Sequence, residues 1–108
     1  MNPNIKTQWV KALRSGTYQQ GTGRLRPTET TYCCLGVLCD VVDPNSWDLP
    51  PVTNTFDAFL HRGFGGAPST DITEAAGLTT EDVDILAEAN DDHGWTFEDI
   101  ATYIEEML

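Results

Sequence analysis

Tyr32-Cys33-Cys34-Leu35-Gly36-Val37-Leu38-Cys39-Asp40 is the stretch on which the fold turns. Continued through Val41 and Val42, it reads as a short helix over residues 33–42 with almost no polar face, so other elements must cover it on every side. Gly36 inside such a helix costs about 1 kcal/mol relative to alanine, which predicts that another length of backbone crosses closely at that point. Asp43-Pro44-Asn45-Ser46 ends the element with turn chemistry.

Working backwards, residues 4–15 have the period of an amphipathic helix. Ile5, Trp9, Val10 and Leu13 share one face, Asn4 is the expected N-cap, and Gly16 is placed to end the helix in the left-handed conformation. Between the two helices the period changes. Tyr18-Gln19-Gln20 and Arg24-Leu25-Arg26 read as two antiparallel strands across a Gly21-Thr22-Gly23 turn, with Thr30-Thr31-Tyr32 as a third.

Working forwards, Trp47-Asp48-Leu49-Pro50-Pro51-Val52 reads as extended chain because of its prolines. Thr55 is placed to cap a short helix through Phe56, Phe59 and Leu60 that fails at Gly63, and Gly65-Gly66-Ala67-Pro68-Ser69 reads as a loop or lid. The end of the chain is more regular. Thr79 or Thr80 caps a helix with Glu81 and Asp82 in its first turn and with Val83, Leu86, Ala87 and Ala89 or Asn90 facing inward. Asn90-Asp91-Asp92-His93-Gly94 is read as the turn. Thr96 and Asp99 then form a capping box for a last helix whose inner face is Phe97, Ile100, Ala101, Ile104 and Leu108. The fold expected is α+β: one compact domain over 1–108, about four helices packed around a small antiparallel hairpin sheet, and a C-terminal helical hairpin.

The 108 residues suffice for one core, and 40% hydrophobic content argues against disorder. No apolar run approaches the roughly 20 residues of a membrane span, and neither a membrane-spanning protein nor one secreted by a visible signal is expected. Three cysteines, two of them adjacent, make a poor disulfide framework and point to a reducing, cytosolic setting. Charge is strongly polarised. Residues 1–26 contain Lys6, Lys11, Arg14, Arg24 and Arg26 and no acid, whereas residues 27–108 carry all 17 acidic residues against Arg62 alone. One end of the chain suits an anion; the other repels nucleic acid or imitates it.

Several chemistries follow from these residue types. Arg24 and Arg26, two guanidinium forks on one face of a strand, stand beside backbone freed by Gly21 and Gly23, with Tyr18, Gln20 and Trp47 close in the pattern. That set suits a phosphate or carboxylate. Cys33 or Cys34 at a helix N-terminus would be a nucleophile, with His61 or His93 as base and Asp91 or Asn90 as orienting partner. The competing reading makes all three cysteines small core hydrophobes, and it is preferred. Metal sites are not expected. An EF-hand register centred on Gly94 would put Ala89 and Ile100 at ligand positions, and the cysteine spacing matches no usual zinc pair. No cofactor is expected either.

Three segments together resemble a family of small proteins encoded by bacteriophages. They are Trp9-Val10-Lys11-Ala12-Leu13-Arg14-Ser15-Gly16-Thr17-Tyr18-Gln19-Gln20, then Tyr32 to Cys39, then Asn90-Asp91 leading to Phe97-Glu98-Asp99-Ile100-Ala101. The resemblance implies an accessory protein acting in the cytoplasm of an infected bacterium, where such proteins commonly counter host defence. Two functions are compatible with it. In the first, the protein captures a small anionic, nucleotide-type ligand without catalysis, through Tyr18, Gln20, Gly21, Gly23, Arg24, Arg26 and Trp47. In the second, it is an acidic inhibitor or DNA mimic that presents Glu81, Asp82, Asp84, Glu88, Asp91 and Asp92 to a nucleic-acid-binding host protein. A cysteine hydrolase ranks third, neither membrane nor direct nucleic-acid binding is expected, and a homo-oligomer is left open.

Overall fold

The computed structural model describes residues 1–48 and 59–108. Helix α1 (Pro3–Arg14) is capped two residues earlier than expected, because Asn2, not Asn4, accepts the free N–H groups of Asn4 and Ile5 at 3.0 Å, with Pro3 at the first helical position. Its Trp9, Val10 and Leu13 are buried, as the period required. Helix α2 (Cys34–Val42) carries the central apolar run, and Cys34 to Cys39 are all buried. The Trp9 indole N–H donates to the Cys34 carbonyl at 2.9 Å, which ties α1 to the first turn of α2.

The chain between these helices does not form the expected hairpin. Strand β1 (Gln19–Gln20) pairs in parallel with β2 (Thr31–Tyr32), and the Gly21 N–H donates to the Tyr32 carbonyl. The Arg24 to Arg26 segment leaves β1 altogether. Leu25 is fully buried; its N–H donates to Gly65 and its carbonyl accepts from the Cys33 N–H at 3.0 Å, so this backbone lies directly across α2. A Cβ on Gly36 would stand 1.8 Å from the Leu25 carbonyl oxygen, so this glycine marks the crossing that its cost in a helix implied. The physical reason is burial: alternation places Leu25 opposite the arginines, and docking it on α2 removes more apolar surface from water than a two-stranded surface ribbon would.

An antiparallel pair does exist, further along: β3 (Trp47–Asp48) with β4 (Leu60–His61). Arg26 joins it through an antiparallel bridge to Phe59. The extended reading therefore holds at Trp47 and Asp48, while its remainder, Leu49 to Val52, and the expected helix start at Thr55 and Phe56 lie outside the described residues. The other end of that expected helix is overturned, since Phe59 to His61 are extended and the Arg62-Gly63 turn that follows has positive φ at both residues. Helix α3 (Thr70–Ala76) was missed in the sequence, although Asp71 lies in its first turn and Gly77 closes it with φ of 75°.

Helix α4 (Thr80–Asp91) and helix α5 (Phe97–Met107) form the C-terminal hairpin, each opened by a complete capping box, Thr79 with Asp82 and Thr96 with Asp99. Asn90 and Asp91 belong to the last turn of α4 rather than to the connection. Helix α5 packs mainly on α1, and α4 packs on α2, so α2 is enclosed as its composition demands. The class is α+β, with five helices and two two-stranded sheets among the described residues.

Replacing Gly36 by Ala is expected to cost at least about 3 kcal/mol in denaturant unfolding, because the obstructing atoms are backbone and cannot rotate away. Gly66→Ala, which meets nothing within 4 Å, should change stability by less than about 0.5 kcal/mol.

Candidate functional site

Of the residues read as an anion site, the fold brings three together. The Arg26 guanidinium lies over the rings of Phe59, Tyr32 and Trp47, at 4.5, 4.7 and 5.2 Å from their centroids, while its Nε and Nη2 donate to the Glu29 carbonyl. Tyr18 meets Tyr32 edge to face at 4.9 Å. Asp40 stands in the same cluster: its carboxylate accepts the Tyr18 hydroxyl at 2.5 Å and the Trp47 indole N–H at 3.0 Å. Burial and the Asp40 carboxylate together push the Tyr18 phenol well above its ordinary value. The cluster thus holds a carboxylate as well as a guanidinium.

The other members are occupied elsewhere. Gln20 and Gly21 belong to a buried network centred on Asn90, which is 2% exposed. The Asn90 carbonyl oxygen accepts from Gln20 Nε2 at 2.9 Å and from the Cys34 N–H at 3.2 Å, while its amide donates to the Gly21 carbonyl at 2.9 Å and to Asp91 at 2.8 Å. Gly21 is closely packed, with a Cβ there 3.1 Å from Pro27 and Thr31, and offers no open cradle. Gly23 has φ of 84°, and the Arg24 side chain turns back to its carbonyl. The sequence offers Asn90 as a possible inward-facing residue of the helix, as part of the turn and as an orienting group; its role as the pin joining β1, α2 and α4 depends on contacts across the whole chain.

The cysteines behave as core residues. All three are free and buried, and desolvation raises the Cys33 thiol to about 11, Cys34 well above its ordinary value, and Cys39 upward as well. Cys33 does cap α2, accepting the Gly36 N–H at 3.4 Å, yet burial outweighs the helix terminus. His61 is fully buried with Nε2 on the Asp43 carbonyl at 2.8 Å and its ring against Trp47, and His93 is exposed. No hydrogen bond among the described residues joins a cysteine to either histidine, so the nucleophile–base pair that the sequence suggested is not assembled. No cluster of three potential metal ligands occurs among the described residues, and no helix there is long and apolar enough to cross a membrane.

The acidic residues of α4 are brought together. Glu81, Asp84, Glu88 and Asp91 recur at i, i+3, i+7 and i+10 on one exposed face, and Asp92 follows at the C-cap. Asp82 leaves the array, because its carboxylate holds the Thr79 N–H in the capping box at 3.0 Å. Ile85 sits beside the stripe, 38% exposed. The ion pairs among the described residues lie elsewhere: Arg14 with Glu98 and Glu105, and Arg62 with Asp43 and Asp71. Lys6, Lys11 and Arg14 border an open groove of about 520 Å³ along α1, floored by Val10, in which Glu105 already answers Arg14.

Among known proteins, a family model described as a domain of unknown function (DUF8296) matches residues 1–57, more than half of the chain. No curated protein and no solved structure matches. The family match covers α1 to β3 and ends before the acidic hairpin.

With the thiols raised by burial, iodoacetamide at neutral pH should label the native protein far more slowly than the unfolded chain; fast labelling of one native thiol would restore the hydrolase reading. The same shifts set an alkaline limit. Thiols and a phenol that keep their protons longer when folded contribute stability that is whole below about pH 9, the ordinary thiol value, and is lost as pH rises beyond it. Equilibrium unfolding measured from pH 8 to 11 should show that decline, and Tyr18→Phe should flatten its upper part.

Proposed function

We propose, for a chain that belongs to the DUF8296 family, that it is a non-catalytic interaction protein whose acidic α4 face engages a basic, nucleic-acid-binding partner. The observation that carries this reading is the stripe of Glu81, Asp84, Glu88, Asp91 and Asp92, exposed and outside every ion pair among the described residues. Like charges at i, i+3 and i, i+4 cost a helix about 0.2–0.5 kcal/mol per pair. Carboxylates at the C-terminal end also oppose the helix dipole. No ion pair among the described residues offsets those costs, which leaves the face suited to a cationic partner. Capping at Thr79 and the Asn90 network hold both ends of α4, which presents the charges at fixed spacing. The phage resemblance fits such a protein acting in an infected cell against a host defence factor that handles nucleic acid.

A second reading, capture of a small anionic ligand of nucleotide type, is favoured by Arg26, which makes no ion pair with the described carboxylates and is flanked by Tyr18 and Trp47. It ranks below the first because Asp40 shares the cluster, Gln20 and Gly21 are engaged in the Asn90 network, and the net charge of -11 repels anions at long range.

Glu88→Lys separates function from stability. It should raise unfolding free energy by about 0.3–1 kcal/mol, by relieving repulsion with Asp84 and Asp92. Together with Asp84→Lys, it should abolish retention of basic host proteins on the immobilised chain. Wild-type binding should be released between about 0.1 and 0.5 M salt, as the Debye length shortens, and should be indifferent to Arg26→Ala. Retention that survives the double reversal, or that is lost with Arg26→Ala, would overturn the assignment to α4.

A further inference from the structure

Helix α5 carries one side-chain pattern twice. Along one flank Glu98, Thr102 and Glu105 hold the Arg14 guanidinium: Nε donates to the two Glu98 oxygens at 3.1 and 3.3 Å, Nη2 to the Thr102 hydroxyl at 3.2 Å, and Nη1 to Glu105 at 3.0 Å. One residue further round, Asp99, Tyr103 and Glu106 repeat carboxylate, hydroxyl, carboxylate at the same i, i+4, i+7 spacing. No ion pair among the described residues involves Asp99 or Glu106.

The second flank is walled by aromatic side chains. Asp99, Thr102, Tyr103 and Glu106 line an open groove of about 510 Å³ together with Trp95, whose ring meets Tyr103 at 5.8 Å and 65°. Trp95 is held at its backbone, its N–H on the Ala89 carbonyl at 3.1 Å and its carbonyl accepting Gln20 Nε2 at 2.8 Å. Asp99 uses one oxygen to cap Thr96 and keeps the other free of hydrogen bonds among the described residues. Two half-buried aromatic faces beside two carboxylates are the surroundings in which an organic cation gains both ring and charge contacts.

We infer that this groove is a binding site for the guanidinium group of an arginine side chain contributed by the partner, which would lie on Trp95 and Tyr103 while Asp99 and Glu106 accept its N–H groups. The geometry by which α5 already holds Arg14 is its precedent within the chain. Arginine is expected over lysine because the planar fork reaches two acceptors and stacks on rings at once. The site deepens the reading of α4 as a surface for a basic partner and rests on it for the identity of the cation's source. It adjoins the stripe through the turn from Asp92 to Trp95, so a basic partner could span both.

The test is a ¹H–¹⁵N NMR titration of the whole protein with N-acetyl-arginine amide, and separately with N-acetyl-lysine amide. The expected result is saturable movement of the Trp95 indole N–H and the Tyr103 and Glu106 amides, at arginine concentrations about fivefold or more below those for lysine. Glu106→Gln, a change at an exposed side chain, should weaken arginine binding by about 3–10-fold, and Tyr103→Leu should do likewise, whereas Glu74→Gln on α3, outside both acidic surfaces, should leave it unchanged. Shifts that never saturate, that spread evenly over the acids of α4 and α5, that are equal for the two probes, or that ignore Glu106→Gln overturn the site. Because the probe needs no partner, failure here leaves the salt-sensitive binding of α4 standing. Loss of that binding's dependence on Glu88 would in turn leave the arginine titration intact.

Discussion

The crossing of Leu25 over Gly36 is the constraint on which the rest of the architecture depends. With the Leu25 carbonyl where a Gly36 side chain would be, the loop from β1 to β2 is docked on α2 at Leu25, and a fully buried Leu25 side chain seals that side of the core. The same backbone passes its hydrogen bonds in two directions, to Cys33 at the start of α2 and to Gly65 in the distant loop. That contact also carries Arg26 to Phe59 and so places the guanidinium among the aromatic rings. A methyl group at residue 36 would disturb all of these at once, because a carbonyl in a docked segment cannot move without its neighbours.

The buried polar groups serve a second purpose, joining elements that apolar packing alone would leave free to slide. Asn90 uses both its oxygen and its amide nitrogen, and its partners come from β1, the following loop, α2 and α4. A buried amide with four partners specifies one arrangement, since any shift leaves a polar atom desolvated without a bond. This network also fixes Trp95 through Gln20, and thereby sets the wall of the groove on α5. The candidate surface is thus supported from inside the core rather than by its own side chains.

Charge is divided on the same principle. Arg14 and Arg62 answer acids on neighbouring elements and hold α1 to α5 and the β4 turn to the end of α2 and to α3. These pairs are partly exposed, so their value lies in orientation more than in stability. Many of the carboxylates outside these pairs stand along α4 and the outer flank of α5, and the net charge of -11 makes the protein as a whole anionic.

How much of this was legible in the residues follows from the range of the interactions involved. Sequence alone determined the elements whose signals are local: the α1 face of Trp9, Val10 and Leu13, the all-apolar α2, the start of α4 at Thr79 or Thr80, the capping box of Thr96, and the close approach at Gly36, because period, caps and a costly glycine act within a few residues. It also exposed the charge polarity and the core character of the cysteines. Only the tertiary structure decided that β1 pairs with β2 in parallel, that Arg24 to Arg26 is no hairpin strand, that Gln20 and Gly21 serve Asn90, and that Arg14 occupies one flank of α5 while leaving its neighbour open. Those outcomes join residues up to 91 positions apart, and long-range pairing is settled by which burial and which hydrogen bonds can be satisfied together, a competition that no local pattern records.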